Sequence, residues 1–317
     1  MLVVVGTTTV DLLVSGFDAP PAAEGDEFTA SSLVFCEQPL LVTLGGNGAN
    51  SAYVLATLGA DAHLMSACGT DPMGEMVTGW LRERGVKLNG FLRTPEAATA
   101  TTTALTDQAF NRVSYHHAGA SHVYQQAHIV PWMLQAADML LLTGPSLLPR
   151  FHNGGFEHIL STAHNHRAVT AIDIGPLVEP IFTLDMLLPL LPHLDYVIAN
   201  QYELLTCTGA DTVEAAAAQL LQAGARCVVL KQGAPGALAF KPGRMIQSVG
   251  HQVDAPATVG AGDSFNAGLL FALYNDLPLD EALHYANATA ALVLQSGRGV
   301  LGAPTREAVN RLVWPGM

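Results

Sequence analysis

Short apolar runs alternate with segments of helical period along most of the 317-residue chain, and that alternation limits the folds open to it. Leu2 to Gly6, His63 to Cys68, Met139 to Thr143, Val169 to Asp173, Tyr196 to Ala199 and Arg226 to Lys231 have the length and aliphatic content of buried strands. Met73 to Arg84 and Val213 to Ala223 lie between such runs and repeat apolar residues at helical spacing. Parallel strands need long crossovers, usually helical, so the pattern predicts an α/β fold with a mostly parallel sheet and helices on both faces. Half of the residues are hydrophobic and 13% are charged, enough for a large core, and no repeat or linker divides the chain.

The formal net charge of −13 excludes a surface evolved for nucleic acid, which needs clustered Lys and Arg. With only Lys87, Lys231 and Lys241 as lysines, a site for a nucleoside triphosphate must lean on backbone amides and Mg²⁺ for charge compensation. No apolar run has the roughly eighteen residues of a membrane span, and Leu2 to Val5 lacks the basic flank of a signal peptide, so a cytoplasmic protein without membrane contact is expected. Cys36, Cys68, Cys207 and Cys227 have no C-x-x-C spacing and read as reduced structural thiols. His116-His117 and His164 with His166 lack metal-ligand spacing and read as surface or second-sheet residues.

Val253 to Gly268 carries the strongest local signal. Within it Gly260-Ala261-Gly262-Asp263 precedes Phe265, Gly268, Leu269, Ala272 and Leu273 at helical spacing, so Gly260 to Asp263 are predicted to form the first turn of a buried helix. A helix N-terminus presents unpaired N–H groups and a positive dipole end, and glycine lets an anion approach the backbone. Asp263 is therefore expected beside a place suited to phosphate. The same four residues also suit an ordinary tight turn with an acidic first-turn residue.

The longer run Ala257-Thr258-Val259-Gly260-Ala261-Gly262-Asp263-Ser264-Phe265-Asn266-Ala267-Gly268 resembles the C-terminal signature of the PfkB, or ribokinase-like, family of carbohydrate kinases. Leu44-Gly45-Gly46-Asn47-Gly48-Ala49-Asn50 is similar to its N-terminal G-G-x-x-x-N pattern, followed by Leu58-Gly59-Ala60 and by Gly69-Thr70-Asp71 with Gly74. With Gly6, Asp11 and Pro304-Thr305, the resemblance spans essentially the whole chain. It implies a three-layer α/β/α core, as one domain over 1–317, with a small β-sheet lid contributed by about 16–43 and 99–117. It further implies ATP-dependent phosphoryl transfer to a hydroxyl of a small sugar, ATP and Mg²⁺ as partners of the reaction, and a homodimer through the lid as a compatible assembly. A nucleoside kinase, or a silent sugar- or nucleotide-binding regulator on the same fold, are the alternatives.

On that resemblance Asp263 accepts the hydroxyl proton, and the N–H groups of Gly260, Ala261, Gly262 and Asp263 form the anion hole. Asp11, Gly45, Gly46 and Asn50 hold the sugar. Lys231, Gly233, Gly236 and Asn287 face the nucleotide, with Lys231 either on a phosphate or turned to solvent. Asn200 and Glu203 match an N-x-x-E element that orients water on the nucleotide's Mg²⁺, but Asn at an N-cap with Glu three residues later is equally a capping box. His117, on a lid strand, is a specificity contact. The chain departs from the family at Ala257, where many relatives have an aspartate that helps bind K⁺. Asp254 stands two residues before Pro256, which holds the chain extended, so a tight monovalent-cation site is not expected. No G-x-G-x-x-G follows the first strand and Gly-Lys never occurs, which sets aside a Rossmann dehydrogenase and a Walker-type ATPase.

Overall fold

The structure, a computed structural model, describes residues 1–17, 35–36, 39–107, 112–253 and 259–316. Its strands are β1 (Leu2–Val5), β2 (Thr9–Phe17), β3 (Leu41–Gly45), β4 (Ala62–Gly69), β5 (Lys87–Thr94), β6 (Ala100–Asp107), β7 (Arg112–His117), β8 (Met139–Thr143), β9 (Val169–Asp173), β10 (Tyr196–Asn200), β11 (Val228–Lys231), β12 (Gly236–Lys241) and β13 (Arg244–Val249). The helices are α1 (Asn47–Thr57), α2 (Pro72–Glu83), α3 (Pro131–Gln135), α4 (Gly155–Asn165), α5 (Leu184–Leu187), α6 (Gln201–Thr208), α7 (Val213–Gln222), α8 (Ala261–Tyr274), α9 (Leu279–Ser296) and α10 (Arg306–Val313).

Nine strands form one sheet in the order β13-β12-β11-β10-β9-β8-β1-β4-β5. From β11 to β5 every pair is parallel; β12 and β13 close one edge as antiparallel strands. Strand alternation divides the core in two. Leu2 and Val4 pack with Leu64, Leu141 and Ile198 under α1, α8 and α9, whereas Val3 and Val5 pack with Met65, Leu140 and Ile172 against α4, α6 and α7. The α8–α9 contact is close because Gly268 has no side chain: a Cβ there would lie 2.7 Å from Thr289 Oγ1. The expected helix–sheet–helix core is present, and β8 and β9 have the bounds expected of them. The polar edge strand β5, with Lys87 and Asn89 exposed, was not anticipated because it has no apolar run.

Four strands make a second sheet, β3-β2-β6-β7. The β-structure expected over about 16–43 and 99–117 overlaps β3, β6 and β7. Thr7 and Thr8 leave β1 outside any strand, and Thr9 begins β2, a central strand of this sheet. Thr9 and Asp11 line the cleft from β2, so their polar character belongs to a strand face. Of the lid segment expected over about 16–43, residues 18–34 and 37–38 lie outside the described residues.

Asp71 ties the two sheets together. It caps α2 by accepting from the Gly74 N–H at 2.8 Å, and it also accepts from the Thr99 N–H and hydroxyl, each at 2.7 Å, just before β6 begins. Thr99 Oγ1 in turn lies 3.0 Å from the Gly69 N–H, and the Ala120 N–H reaches Ala98 O at 2.8 Å just after β7 ends. Glycine is required at Gly69, where a Cβ would sit 2.7 Å from the Thr99 nitrogen.

Candidate active site

The carboxyl ends of β1, β9, β10 and β11, the N-terminus of α8 and the inner face of the second sheet enclose a cleft of about 1020 Å³. This is the edge of a parallel sheet where loops and helix N-termini converge. Gly260 caps α8 with φ 80°, a left-handed conformation that glycine adopts without strain, and Ala261, Gly262 and Asp263 follow as the first helical residues. All four line the cleft. The helix start predicted from sequence is thus present, shifted by one residue because Gly260 is the cap.

Asp263 accepts a 2.8 Å hydrogen bond from Asn50 Nδ2, and its carbonyl accepts from Ser51 Oγ at 3.3 Å. Lost hydration pushes the Asp263 carboxyl up to about 7. The Asn50 bond opposes the shift, Asp173 reinforces it, Lys231 opposes it and Asp11 adds to it. Asn50, assigned to the sugar from sequence, is therefore engaged by the carboxylate at the start of α8.

Asp11 projects from β2 with Thr9 Oγ1 donating to Oδ1 at 2.7 Å. Gly45, expected to hold the sugar, is not among the residues that line the cleft. A Cβ on Gly45 would fall 2.2 Å from Asp11 Cγ, so its part is to leave room for that carboxylate. Gly46, the N-cap of α1 with φ 84°, does line the cleft.

Lys231, the last residue of β11, is neither free nor turned to solvent. Its Nζ lies 2.6 Å from Asp173 Oδ1, with side-chain exposures of 12% and 2%, and Thr143 Oγ1 donates to Asp173 Oδ2 at 3.1 Å. The same Nζ is the nearest atom to the space a Gly262 side chain would take, at 3.5 Å. Asp173 and Glu203 hold the Lys231 pKa up against burial, which pulls it down. Asp173, which ends β9 at the ligand edge of the sheet, was not anticipated from the sequence, and its partner Lys231 is 58 residues away.

The Asn200–Glu203 capping box is complete: Asn200 Oδ1 accepts from the Glu203 N–H and Glu203 Oε2 accepts from the Asn200 N–H, both at 2.8 Å. Both side chains also line the cleft, so capping and facing a ligand coexist. Burial raises the Glu203 pKa, opposed by Lys231. Gly233, at φ 69°, and Gly236, at φ 107°, form the turn after β11. Asn287 faces the cleft but spends Nδ2 on Ser248 O, Ser248 Oγ and Val249 O at 3.2 to 3.3 Å, fastening the end of β13 to α9.

Register decides between the paired histidines. Asp11 lies beside Thr102 and Thr102 beside His116, so these three share one face of the second sheet. His116 and Ser114 line the cleft; His117, expected as the specificity contact, is on the other face. His122, from the turn after β7, lines it too and was not expected to. Asp254 and Ala257, which bear on a monovalent-cation site, lie outside the described residues. Among the described residues no group of three His, Cys, Asp or Glu side chains is arranged to hold a metal directly, and no helix is long and apolar enough to cross a membrane.

Residues 21–306 match the pfkB family of carbohydrate kinases. The chain belongs to this family. Its relatives include an ATP-dependent ribose-1-phosphate kinase of Halopiger xanaduensis, 29% identical over 272 residues that cover 84% of each chain. A 5-dehydro-2-deoxygluconokinase of Photobacterium profundum is 24% identical over 279 residues, 83% of each chain. The fold is that of Arabidopsis thaliana ribokinase, solved with ribose and ATP, with a TM-score of 0.81 over 99% of this chain and 98% of that one at 23% identity.

Proposed function

We propose that this pfkB-family kinase transfers the terminal phosphoryl group of MgATP to a hydroxyl of a small sugar, with Asp263 as the proton acceptor. The observation that carries this reading is the raised Asp263 carboxyl at the amide-rich start of α8. A carboxylate titrating near neutrality can take a hydroxyl proton at cellular pH, and the amides of Gly260, Ala261, Gly262 and Asp263 stand where charge on the transferring group would need stabilisation. Asn50 positions the Asp263 carboxylate. Lys231, held by Asp173 beside Gly262, adds the one fixed positive charge among the described residues of the cleft wall. The nucleotide base would lie toward Gly233, Gly236 and the α9 wall that includes Asn287 and Ala290, and the sugar toward Asp11 and Gly46.

Mg²⁺ fits this donor set. Asp173, Asn200 and Glu203 offer oxygen donors to a hard cation and its waters, and when bound it would neutralise phosphate charge. The second sheet is read as a lid of one kinase domain. On its outer face Leu12, Val42, Thr103 and Tyr115 stand in one row and Val14, Leu105 and Val113 in the next. Val42, Val113 and Tyr115 are 40%, 52% and 66% exposed, which supports pairing of two chains through the lids. The buried free thiols of Cys68, Cys207 and Cys227 suit a reducing, cytoplasmic setting. ADP release that requires both acceptor and Mg²⁺, and that is lost in Asp263→Asn, is the test. Release in the Asn variant at the wild-type rate would remove Asp263 from this role.

A further inference from the structure

We propose that this kinase selects its phosphate donor by the base: Asn287 Oδ1 accepts from the exocyclic amino group of adenine and refuses a purine that carries an oxo group in its place. This rests on the kinase reading of the cleft and deepens it at the nucleotide end.

The orientation of one amide carries the inference. Asn287 lies midway along α9, with Ala290, Ala291 and Leu294 after it on the same face, and all four line the cleft. Its Nδ2 sits 3.3 Å from Ser248 O, 3.2 Å from Ser248 Oγ and 3.3 Å from Val249 O. Two of those three atoms are carbonyl oxygens, which only accept. The group against them is therefore the NH₂, and the group on the far side of the amide is the oxygen. In an open pocket an asparagine turns its amide over to suit a donor or an acceptor. Here that rotation would press Oδ1 against two carbonyl oxygens with no hydrogen between them, in a residue only 7% exposed. The fastening of β13 to α9 thus locks Asn287 as an acceptor toward the cleft. No donor among the described residues meets Oδ1.

The neighbouring polar side chain does not discriminate. Among the described residues that line the cleft from α9 and from the segment after β13, only Asn287 and His251 have polar side chains. The His251 ring packs on His284, one turn before Asn287 on α9, with centroids 5.2 Å apart and planes at 33°. Burial and His284 both lower the His251 pKa, so this ring is neutral near pH 7. A neutral imidazole has one donor and one acceptor and can exchange them between its nitrogens, so it suits an amino or an oxo base alike. Adenine brings Oδ1 an amino group with hydrogens to give; hypoxanthine brings, at the same ring position, an oxygen with lone pairs only. Selection between them falls to Asn287.

The experiment measures binding of MgADP and MgIDP to the full-length protein by calorimetry. The two nucleotides differ only at one edge of the base, amino beside a bare N1 in the first and oxo beside N1–H in the second, and no acceptor is needed. The expected result is MgADP bound at least about fivefold more tightly than MgIDP, the effect of one hydrogen bond made or lost. A smaller ratio overturns this inference and leaves the kinase reading standing. Binding of neither nucleotide overturns both. A second arm assigns the residue. Asn287→Ala should weaken MgADP more than MgIDP and bring the ratio close to one, whereas His251→Ala should weaken both and keep the wild-type ratio. If Asn287 only fastened β13 to α9, its loss would weaken both nucleotides equally, and a ratio that persists in Asn287→Ala removes it from this role.

Discussion

On the kinase reading proposed above, the two ends of the cleft are built from different materials. The phosphate end is main chain and charge: the α8 amides, two positive-φ glycines after β11, and the buried Lys231–Asp173 pair, all set by the large sheet. The acceptor end is side chain: Asp11, Thr102, Ser114 and His116, set by the register of a second sheet whose outer face is half apolar. The first end serves a reaction that does not vary, because every phosphoryl group presents the same oxygens. The second can vary residue by residue without disturbing the first, and this is why the family membership of the chain says more about its reaction than about its acceptor.

The sharpest test of that division is Asp263→Asn, expected to lower kcat by about 10² to 10⁴ while both ligands still bind. Its stability should move the other way. Folding lifts this carboxyl from 3.8 to about 7, so the folded protein keeps a proton that the unfolded chain gives up. The stability so gained is full below 3.8 and is lost as pH rises through about 7. At pH 8 the Asn variant should therefore be the more stable protein by an amount on the order of 1 kcal/mol, after allowance for screening at the cleft; urea titration at pH 5 and pH 8 measures the difference.

Next in size is Lys231→Met. Leaving Asp173 buried without its partner should cost about 3 kcal/mol and weaken MgATP binding. The double variant Lys231→Met/Asp173→Asn should recover most of the stability and none of the nucleotide affinity. If it recovered both, the pair would be structural only. At the other end Gly45→Ala should press on Asp11 and weaken acceptor binding by about 1 to 3 kcal/mol, as should Asp11→Ala, with ATP affinity unmoved by calorimetry. A fall in ATP affinity instead would erase the distinction between the ends.

Asn50→Ala probes the seam between them. The wild-type rate should rise with pH through about 7 as Asp263 ionises, and removing the Asn50 hydrogen bond, which favours the ionised form, should move that limb to higher pH. A pH profile that stays in place would return Asn50 to a sugar contact. Smallest for the chemistry is Val42→Asp with Tyr115→Lys on the outer face of the second sheet. Under the proposed pairing of two chains through this face, it should give monomers in sedimentation while kcat per site changes less than about twofold, a difference of under 0.5 kcal/mol.

How much of this was legible in sequence follows the same division. Gly260 to Asp263 could be read because cap, glycine and carboxylate are adjacent, and the large sheet because strands buried on both faces are continuous apolar runs. The second sheet was harder: Thr9 and Asp11 are polar for the cleft yet lie on a strand, and composition registers only the first. Which of His116 and His117 faces inward depends on the pairing of β6 with β7. Asn50 reaches Asp263 across 213 residues, and Lys231 reaches Asp173 across 58, so neither partner leaves a local trace.

The Asp71 clamp has a consequence for descent. It grips the hairpin of β6 and β7 at the base, through Thr99 on the way out and Ala98 with Ala120 on the way back, three to four residues from Thr102 and His116, the second rung of the hairpin. Side chains beyond that rung can be re-lettered while the rung itself, which faces the cleft, stays fixed to the nine-stranded sheet. On the proposed reading, variation along this hairpin is graded: tolerant toward its tip, and constrained where it meets the cleft.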